Sequence, residues 1–376
     1  MPRKGENIYK RKDGRWEGRY IKRYNTNGKA VYGYVYEHSY TKVKRKLRDA
    51  ISSNLDESKS SASISFNALF DSWLDNKKEA VKESTYVQYE RIVEKHLRLH
   101  WGMLNVTDFS DQLVEQYIDQ LQAKGRLDGN GGLSSKSIND IAVVLKSVIR
   151  YAQRHGINIP SSLQWPAKMK TKKKQFKVLS LEDQRKLVGY LTDNIDLEKV
   201  AILLSLFCGL RIGEICALKW EDINLEYSVL SVRNTLQRIK CNDPLSSHKT
   251  KVIITSPKSD CSIRDIPIPD FLVECLKKFA ASPSSFVLTG DEHRYVEPRT
   301  MQYRFKRILL TCELEPLNFH ALRHTFATRC VELEFEIKSL SEVLGHSTVS
   351  ITLNRYVHPS FETKKQNMQK LAVLSN

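Results

Sequence analysis

Alternating apolar and polar residues near the N-terminus predict a small antiparallel sheet. Residues 15–21 and 30–36 follow the period of two that is typical of strands, and both contain tyrosine. An Asp-Gly pair at Asp13 and an Asn-Gly pair at Asn27 favour tight hairpin turns beside them. Because these turns join short stretches of chain, we expect a three-stranded sheet here.

A helical pattern from Lys42 to Ala50 follows this sheet, and a serine-rich stretch from Ser52 to Ser63 then predicts a linker. We therefore place a first domain, a sheet with one helix, at residues 1–55. Its basic residues are interleaved with aromatic ones, a combination that suits a sheet face laid against DNA. The alternative is that the aromatic residues simply form the core of the small sheet.

The period changes to that of helices from Ser65 to about Asn158, which predicts a bundle of about four helices at residues 64–160. Its first apolar stripe consists of Phe66, Leu69, Phe70, Trp73 and Leu74. Further helices are predicted to begin at Lys82 and to cover Gln112–Lys124 and Ser135–His155, with a glycine-rich turn at 125–132.

The last segment, residues 179–376, mixes both periods and predicts a mixed α/β domain, so the whole chain is expected to be a multidomain α+β protein. Predicted helices begin at Leu181 and cover 197–207, 211–220, 270–280, 300–311, 320–333, 337–344 and 349–354, and predicted strands cover 229–235, 251–255 and 263–268. Residues 161–178 form a basic linker, with no acidic residue from 168 to 177. Such a linker is either merely solvated or lies along a phosphate backbone.

The charge and cysteine content narrow the partner and the compartment. A total of 60 Lys+Arg against 43 Asp+Glu gives a net charge of +17, which favours nucleic acid as a partner before an acidic membrane surface. The longest apolar stretch, Val200 to Leu210, is far short of the roughly 20 residues that span a bilayer. The N-terminus lacks the apolar run of a signal peptide, and the seven cysteines include no C-x-x-C pair. We therefore expect a reducing cytoplasm, without a disulfide framework or zinc site.

Three short motifs carry the candidate chemistry of the last segment. They are an arginine just after a glycine at a predicted helix start, an H-x-x-R motif, and an L-G-H motif that precedes a tyrosine by ten residues. The side chains concerned are Arg211, His320, Arg323, His346 and Tyr356.

These side chains combine several cations with one tyrosine hydroxyl, and no metal-binding carboxylate pair accompanies them in the sequence. A helix start favours an anion, and an arginine adds a planar fork that matches phosphate oxygens. Phosphoryl transfer requires stabilised oxygens, which arginines can provide in place of metal ions, and tyrosine can act as a covalent nucleophile. One motif alone is typical of ordinary structural residues, but the three together favour attack of Tyr356 on a phosphate.

In this order, the motifs resemble those of the tyrosine recombinases, or phage integrases, along the whole catalytic segment. The three-part layout is similar to that of integrases from Gram-positive conjugative transposons and related phages. The resemblance implies an arm-type DNA-binding domain at 1–55, a core-binding domain at 64–160, and a catalytic domain with a C-terminal tail at 179–376. It implies a site-specific recombinase that cleaves and rejoins DNA through a 3′-phosphotyrosine, for integration or excision of a mobile element.

The resemblance also assigns roles to the candidate residues. Tyr356 is implied as the nucleophile, and Arg211 and Arg323 are implied to clamp the non-bridging oxygens of the phosphate. His320 is implied to assist deprotonation of the tyrosine, and His346 to hydrogen-bond the phosphate.

The family places one further catalytic residue, a lysine, in a β-hairpin between the first arginine and the H-x-x-R motif. Residues 257–267 fit that hairpin with Lys258 at its tip, while Lys249 and Lys251 are nearby alternatives. Lys258 is implied to donate the proton to the leaving 5′-oxygen. Residues 237–255 lengthen the region ahead of it and resemble an inserted β-hairpin.

Four other titratable residues near the motifs receive structural interpretations. We expect Glu214 to support the helix that carries Arg211, and Asp222 to be a helix cap or turn residue, instead of metal ligands. His324 and His358 are expected to be structural or solvent-facing, although His324 borders the candidate active site.

The resemblance implies no cofactor and no metal. The expected partners are double-stranded DNA at core and arm sites and further copies of this chain, which form a tetramer in the synaptic complex. An accessory DNA-bending or excision factor is compatible with this scheme. The tail from Phe361 to Leu374 either docks on a neighbouring protomer or packs on its own domain.

Three rival classes share part of this pattern. A type IB topoisomerase uses the same tyrosine chemistry without strand exchange, but the separate N-terminal sheet and the tail favour a recombinase. A DNA-binding regulator has no need of the six candidate catalytic residues. A metal-dependent nuclease requires a carboxylate cluster, and the sequence offers none that is convincing.

Overall fold

The computed structural model describes residues 7–24, 30–60, 64–159, 168–170, 176–241, 246–257, 260–357, 364–365 and 368–369. Contacts along the chain divide it into two compact units, Met1–Lys172 and Lys173–Asn376. No helix in these described stretches is long and apolar enough to cross a membrane.

The first unit begins with the predicted sheet and helix. Three antiparallel strands lie in the order β1 (Ile8–Lys10), β2 (Trp16–Tyr24) and β3 (Ala30–Glu37), and helix α1 (Tyr40–Ser60) follows them. Val43 and Leu47 of α1 form a small core with Ile8. The predicted three-stranded sheet with one helix is therefore confirmed.

One expectation for this region needs correction, and one open alternative is resolved in part. Helix α1 continues to Ser60, so most of the serine-rich stretch from Ser52 is helical and not a linker. Apolar residues recur every fourth position at 47, 51 and 55, and this spacing extends the helix past Ala50. The aromatic residues of the sheet divide between its two faces. The tyrosines at 32, 34 and 36 are exposed, whereas Trp16 and Tyr20 pack on the core.

The rest of the first unit is the predicted helical bundle. It consists of α2 (Phe66–Ala80), α3 (Glu83–Ile92), a π-helical turn (Val93–Leu97), α4 (Arg98–Trp101), a 3₁₀ turn (Val106–Asp108), α5 (Asp111–Lys124) and α6 (Ser135–Arg154). All five residues of the predicted stripe on α2 are buried, and they pack against α6 through residues such as Val144 and Val148. The serines that precede α2 and α6 cap these helices through side-chain hydrogen bonds, which explains where both helices begin.

The second unit surrounds α8 with the remaining elements. Its helices are α7 (Leu181–Thr192), α8 (Leu197–Cys208), α9 (Ile212–Ala217), α10 (Asp270–Lys277), α11 (Pro298–Thr311), α12 (His320–Glu332), α13 (Ile337–Leu344) and α14 (Val349–Tyr356). Its strands are β4 (Ile223–Asn224), β5 (Val229–Val232), β6 (Thr235–Lys240), β7 (Thr250–Thr255) and β8 (Arg264–Pro267). Helix α8 is buried from Lys199 to Leu206, and α9 is shorter than predicted. The helix predicted at 349–354 continues to Tyr356, so Tyr356 is the last residue of α14 and does not follow the helix.

The strands form two sheets, and their pairing changes one prediction. Strands β6 and β7 pair as an antiparallel hairpin, so the predicted inserted hairpin is confirmed. The hairpin predicted at 257–267 is wrong, because β7 pairs with β6 while β8 pairs with β5 of the sheet β4-β5-β8. A 3₁₀ turn, Asp260–Ser262, leads into β8. Lys258 itself lies outside the described residues.

Candidate active site

Two helices of the second unit end at glycines that point candidate residues towards each other. Helix α8 ends at Gly209 with φ +67°, and α13 ends at Gly345 with φ +60°. Glycine adopts this left-handed conformation at little cost and is the usual residue at such helix ends. The two motifs are therefore helix C-caps, after which the chain presents Arg211 and His346.

Arg323 on α12 joins these two helix ends. Its Nη1 donates to the carbonyl oxygen of Gly209 at 2.6 Å, and its Nη2 donates to the carbonyl oxygen of Leu344. The side chain is buried, with 1% of its surface exposed. Carbonyls at a helix C-terminus carry partial negative charge, which stabilises a buried guanidinium.

Arg211 reaches the same point from the other side. Its Nη2 lies 3.4 Å from the carbonyl oxygens of both Leu344 and Gly345, so two guanidinium groups meet at one carbonyl. Burial, followed by the Arg211 charge, lowers the pKa of Arg323 to about 9, which still leaves it cationic at neutral pH. Two neighbouring cations favour an anion between them, because a negative charge removes their repulsion.

His346 borders this pair of arginines. Its Nε2 lies 3.3 Å from Nη2 of Arg323, and its Nδ1 lies 2.8 Å from Oγ1 of Thr352. Burial and the charges of Arg323 and Arg211 lower the pKa of His346 to about 3, so the ring is neutral at pH 7. A neutral ring can accept a hydrogen bond from Arg323 and donate one to Thr352.

Tyr356 completes the cluster, and its hydroxyl contacts His324, the residue that the sequence places at the border of the candidate site. Nδ1 of His324 lies 2.8 Å from Oη of Tyr356, and both residues are buried. His324 is therefore not solvent-facing. It lies one turn after His320 on α12, so the i,i+4 spacing was a signal that the two rings share a face. The rings of His346 and Tyr356 are nearly parallel, with 6.4 Å between their centroids.

Glu214 holds Arg211 in place and is itself held by a residue that the sequence analysis did not select. Glu214 accepts hydrogen bonds from the backbone nitrogen and Nη1 of Arg211, at 2.9 and 2.6 Å. Arg264 donates to both oxygens of the same carboxylate and, through Nε, to the carbonyl oxygen of Val343. Burial alone would raise the pKa of Glu214, but the charge and hydrogen bonds of Arg264, then Arg211, lower it to about 2.

The structure thus brings five of the six predicted site residues together, and Lys258 is the sixth. Lys249 and Lys251, the alternatives to Lys258, are exposed on the β6–β7 hairpin. Asp222 accepts a hydrogen bond from the backbone nitrogen of Lys219, as expected for a turn residue. His358 lies outside the described residues.

Replacing Gly345 with alanine tests the importance of the left-handed cap. A Cβ there would lie 3.1 Å from both the Arg264 side chain and the carbonyl oxygen of Cys261. We expect Gly345→Ala to cost about 1–2 kcal/mol from its backbone conformation, plus about 1–3 kcal/mol from crowding. Displacement of His346 should slow DNA cleavage by roughly 10- to 100-fold.

Gly290→Ala is the matched control, since Gly290 has φ +66° with no atom within 4 Å of an added Cβ. It should show only the backbone cost in urea denaturation and should leave cleavage unchanged. Equal losses of stability and activity in the two variants would contradict the crowding argument.

Comparison with known proteins identifies the fold and the family. The profile of the phage integrase family matches residues 177–363, and that of the phage integrase N-terminal SAM-like domain matches residues 65–122. A protein of Caldanaerobacter subterraneus subsp. tengcongensis, named tyrosine recombinase XerC-like, is 29% identical over 306 residues, which are 74% of this chain and 74% of that protein.

Two solved structures share the fold. The Tn1549 transposon integrase in complex with a circular intermediate DNA has a TM-score of 0.64 and 21% identity, covering 82% of this chain and all of that one. A lambda integrase tetramer bound to a Holliday junction has a TM-score of 0.56 and 16% identity, covering 96% of this chain and 98% of that one. The chain belongs to the phage integrase family, the tyrosine recombinases.

Proposed function

We propose that this protein is a site-specific DNA recombinase that cleaves and rejoins DNA strands through Tyr356, for integration or excision of a mobile element. One observation carries the proposal: two arginines converge on the Leu344 carbonyl, next to His346 and a buried tyrosine. A scissile phosphate would neutralise the like charges that crowd there, and the tyrosine is at hand as a nucleophile.

In the proposed cleavage step, Oη of Tyr356 attacks the phosphorus and its proton passes to one of the histidines of α12, while the bond from phosphorus to the 5′-oxygen breaks. Arg211 and Arg323 stabilise the non-bridging oxygens, and His346 hydrogen-bonds the phosphate through Nε2, in the tautomer that carries its proton there and accepts from Thr352 at Nδ1. Lys258 gives its proton to the leaving 5′-oxygen. The 5′-hydroxyl of a partner strand then attacks the phosphotyrosine and returns its proton to Lys258. Tyr356 leaves with the proton that the histidine held.

This exchange keeps the energy of the phosphodiester in the protein–DNA bond. Each cleavage therefore makes one phosphotyrosine bond for each phosphodiester broken, and rejoining reverses the count. We propose that neither a nucleotide cofactor nor a metal ion is required.

The N-terminal sheet supports the proposed arm-type DNA-binding domain at residues 1–55. Its outer face carries the exposed tyrosines at 32, 34 and 36, and the guanidinium of Arg19 lies 3.5 Å from the ring centroid of Tyr32. Arginine stacked on an aromatic ring is held in a fixed position and still presents donors to phosphate. A sheet can read the major groove through such a face.

Arg19→Gln tests this face directly. On a labelled random-sequence duplex, the variant should bind more weakly than the wild type, and the slope of log affinity against log salt should fall by about 1. Arg185→Gln, the same change of charge at an exposed position on α7, is the control and should leave both values unchanged. An unchanged slope in Arg19→Gln would mean that this arginine does not contact phosphate.

We propose the helical bundle at 64–160 as the core-binding domain, the basic stretch at 161–178 as a linker, and residues 179–376 as the catalytic domain. The SAM-like domain profile supports the bundle assignment over residues 65–122. Strand exchange between two duplexes requires four cleavages, so we also propose a tetramer in the synaptic complex. The tetrameric state of lambda integrase on a Holliday junction supports this assembly.

A suicide substrate tests the proposed function. Duplexes from the borders of the mobile element that carries the gene would be nicked beside the cleavage site, so that the short 5′-hydroxyl fragment dissociates after cleavage. The wild type should form a covalent adduct in EDTA, and mass spectrometry should locate the DNA on Tyr356. An adduct that needs added metal, or cleavage that leaves no adduct, would refute the proposal.

A further inference from the structure

We propose that His324, and not His320, accepts the proton of Tyr356 during cleavage and returns it during rejoining. The inference deepens the proposed function and rests on it. It concerns the residue next to the reacting oxygen, which the H-x-x-R motif by itself does not select.

The contacts of the Tyr356 hydroxyl carry the inference. Oη lies 2.8 Å from Nδ1 of His324, which is the distance of a direct hydrogen bond. No hydrogen bond joins Tyr356 to His320 within the described residues. His320 instead sets its ring edgewise against His324, with 4.5 Å between the centroids, so it lies one ring further from the hydroxyl.

The protonation states give this hydrogen bond a direction. Burial, then the charges of His320, Arg355 and Arg323, lowers the pKa of His324 to about 4, so the ring is neutral at pH 7. Burial also raises the pKa of Tyr356, against the opposing charges of Arg323 and Arg355, so the phenol keeps its proton. In the tautomer of neutral His324 that carries its proton on Nε2, the phenol donates and Nδ1 accepts, which is the arrangement that a proton acceptor needs.

Arrival of DNA should make the acceptor stronger. Besides burial, the charges of His320, Arg355 and Arg323 hold His324 neutral, and a bound phosphate offsets the charges of the two arginines. The basicity of His324 should then rise when the phosphate is in place and Tyr356 is about to attack. In free protein the ring is a weaker acceptor, so the proton stays on the tyrosine.

The residues around His324 hold its ring in place and connect it to water, with which it can exchange a proton. Phe176 packs on one side with 4.2 Å between ring centroids, and the Arg355 guanidinium lies 5.2 Å from the Phe176 ring. His324 and His320 also line a cavity of about 530 Å³. His320 stands at the cavity and is exposed, so it can exchange protons between His324 and water.

The step balances as a proton transfer. The proton of Tyr356 moves to Nδ1 of His324 as the bond from Oη to phosphorus forms. The bond from phosphorus to the 5′-oxygen breaks, and that oxygen takes its proton from the separate acid, Lys258. In rejoining, His324 returns its proton to Oη as the phosphotyrosine bond breaks.

His324→Asn is the first test, because asparagine places an oxygen close to the position of Nδ1 but cannot take a proton. On the suicide substrate at pH 7, its cleavage should be about 10²–10⁴-fold slower than that of the wild type, with DNA binding unchanged. The deficit should shrink as pH rises towards the ordinary tyrosine value of about 10, because hydroxide then removes the phenolic proton. His293→Asn, at an exposed position, is the control and should match the wild type.

A second test changes the tyrosine. Fluorotyrosine placed at 356 has a more acidic phenol and needs a weaker acceptor. It should restore cleavage to His324→Asn by at least tenfold relative to ordinary tyrosine in the same variant. A 5′-bridging phosphorothiolate, whose sulfur leaves without an acid, should not restore it, because the defect lies at the nucleophile.

The outcomes separate this inference from the proposed function. An adduct in the wild type together with unchanged cleavage by His324→Asn would overturn only the role of His324. The role also fails if the deficit is independent of pH and of fluorotyrosine, which would make His324 a packing residue, or if His320→Asn alone shows the pH-dependent deficit. Absence of an adduct in the wild type would overturn the proposed function and this inference together.

Discussion

The Tyr356→Phe variant is expected to bind DNA as the wild type does and to form no covalent adduct. Cleavage of the suicide substrate should fall below detection, a loss of at least about 10³-fold if the tyrosine is the covalent nucleophile. Among the proposed substitutions, we expect removal of this hydroxyl to cause the largest loss of cleavage. Adduct formation on a denaturing gel is the measurement.

The fold should tolerate this change. Phenylalanine keeps the ring that packs with Ala327, Leu340 and Leu344, and it removes only the hydroxyl. The cost is the partner that Nδ1 of His324 loses, which is about 1–3 kcal/mol for a buried polar atom. Urea denaturation should therefore show a folded variant, and loss of the adduct could not be attributed to unfolding.

Tyr227→Phe provides the control, because Tyr227 is exposed and lies in the turn between β4 and β5, outside the cluster. It should cleave at the rate of the wild type. If Tyr356→Phe still formed an adduct, another side chain would be the nucleophile, and the role given to Tyr356 would have to be abandoned.

The sequence was informative where a local signal determines structure. Gly209 and Gly345 end their helices because glycine alone accepts the left-handed conformation easily, and the same glycines predict from the sequence that Arg211 and His346 lie at helix ends. The apolar stripe from Phe66 to Leu74 likewise fixed a buried helix face. Such features depend on residues within a few positions of each other.

Strand pairing depends on residues that are distant in the sequence, and there the prediction failed. Alternation shows that 263–268 is a strand, but it does not show that this strand pairs with β5, which lies before the inserted hairpin in the sequence. The hairpin predicted at 257–267 needed a partner strand directly ahead of β8. The strand ahead of it, β7, belongs to the inserted hairpin predicted at 237–255 and pairs with β6.

The missed site residues follow from the same limit, although each left a trace. Arg264 lies two residues before the buried Ile266 on β8, so both side chains are on the inner face, where an arginine is stable only when it is paired. Its counter-ion, Glu214, is 50 residues away in sequence, and no local pattern joins them. His324 was visible as an i,i+4 neighbour of His320, but its contact with Tyr356 depends on the packing of α14 against α12.

Glu214→Gln should have the largest effect on stability. The Glu214 carboxylate is 4% exposed and accepts hydrogen bonds from Arg211 and Arg264, and Arg264 is itself buried. Glutamine removes the negative charge and presents an NH₂ group to arginine donors. Breaking a buried ion pair from one side costs about 3–5 kcal/mol, because the remaining cation has no counter-charge. Arg211 also loses its support, and cleavage should fall by about 10²–10³-fold.

Glu297→Gln is the matched control at the surface. Glu297 also pairs with both sides of an arginine fork, that of Arg238, but both side chains are partly exposed. Surface pairs contribute about 0–1 kcal/mol, so this variant should denature in nearly the same urea concentration as the wild type and cleave normally. A comparable loss of unfolding free energy in the two variants would mean that the buried ion pair stabilises the fold no more than the surface pair does.

Low pH should weaken the same ion pair, because it protonates the Glu214 carboxylate. The pKa of Glu214 is about 2 in the folded chain, below the ordinary value of about 4.3 that it regains on unfolding. A lowered folded pKa contributes stability that is fully present above pH 4.3 and is lost as pH falls towards 2, because the unfolded chain then binds the proton first. The stability difference between wild type and Glu214→Gln should therefore narrow over that range in urea denaturation, whereas the difference for Glu297→Gln should stay small throughout.

A double variant, Glu214→Gln with Arg264→Gln, should recover part of the stability at pH 7 and none of the cleavage. It removes the unpaired cation without restoring the support of Arg211.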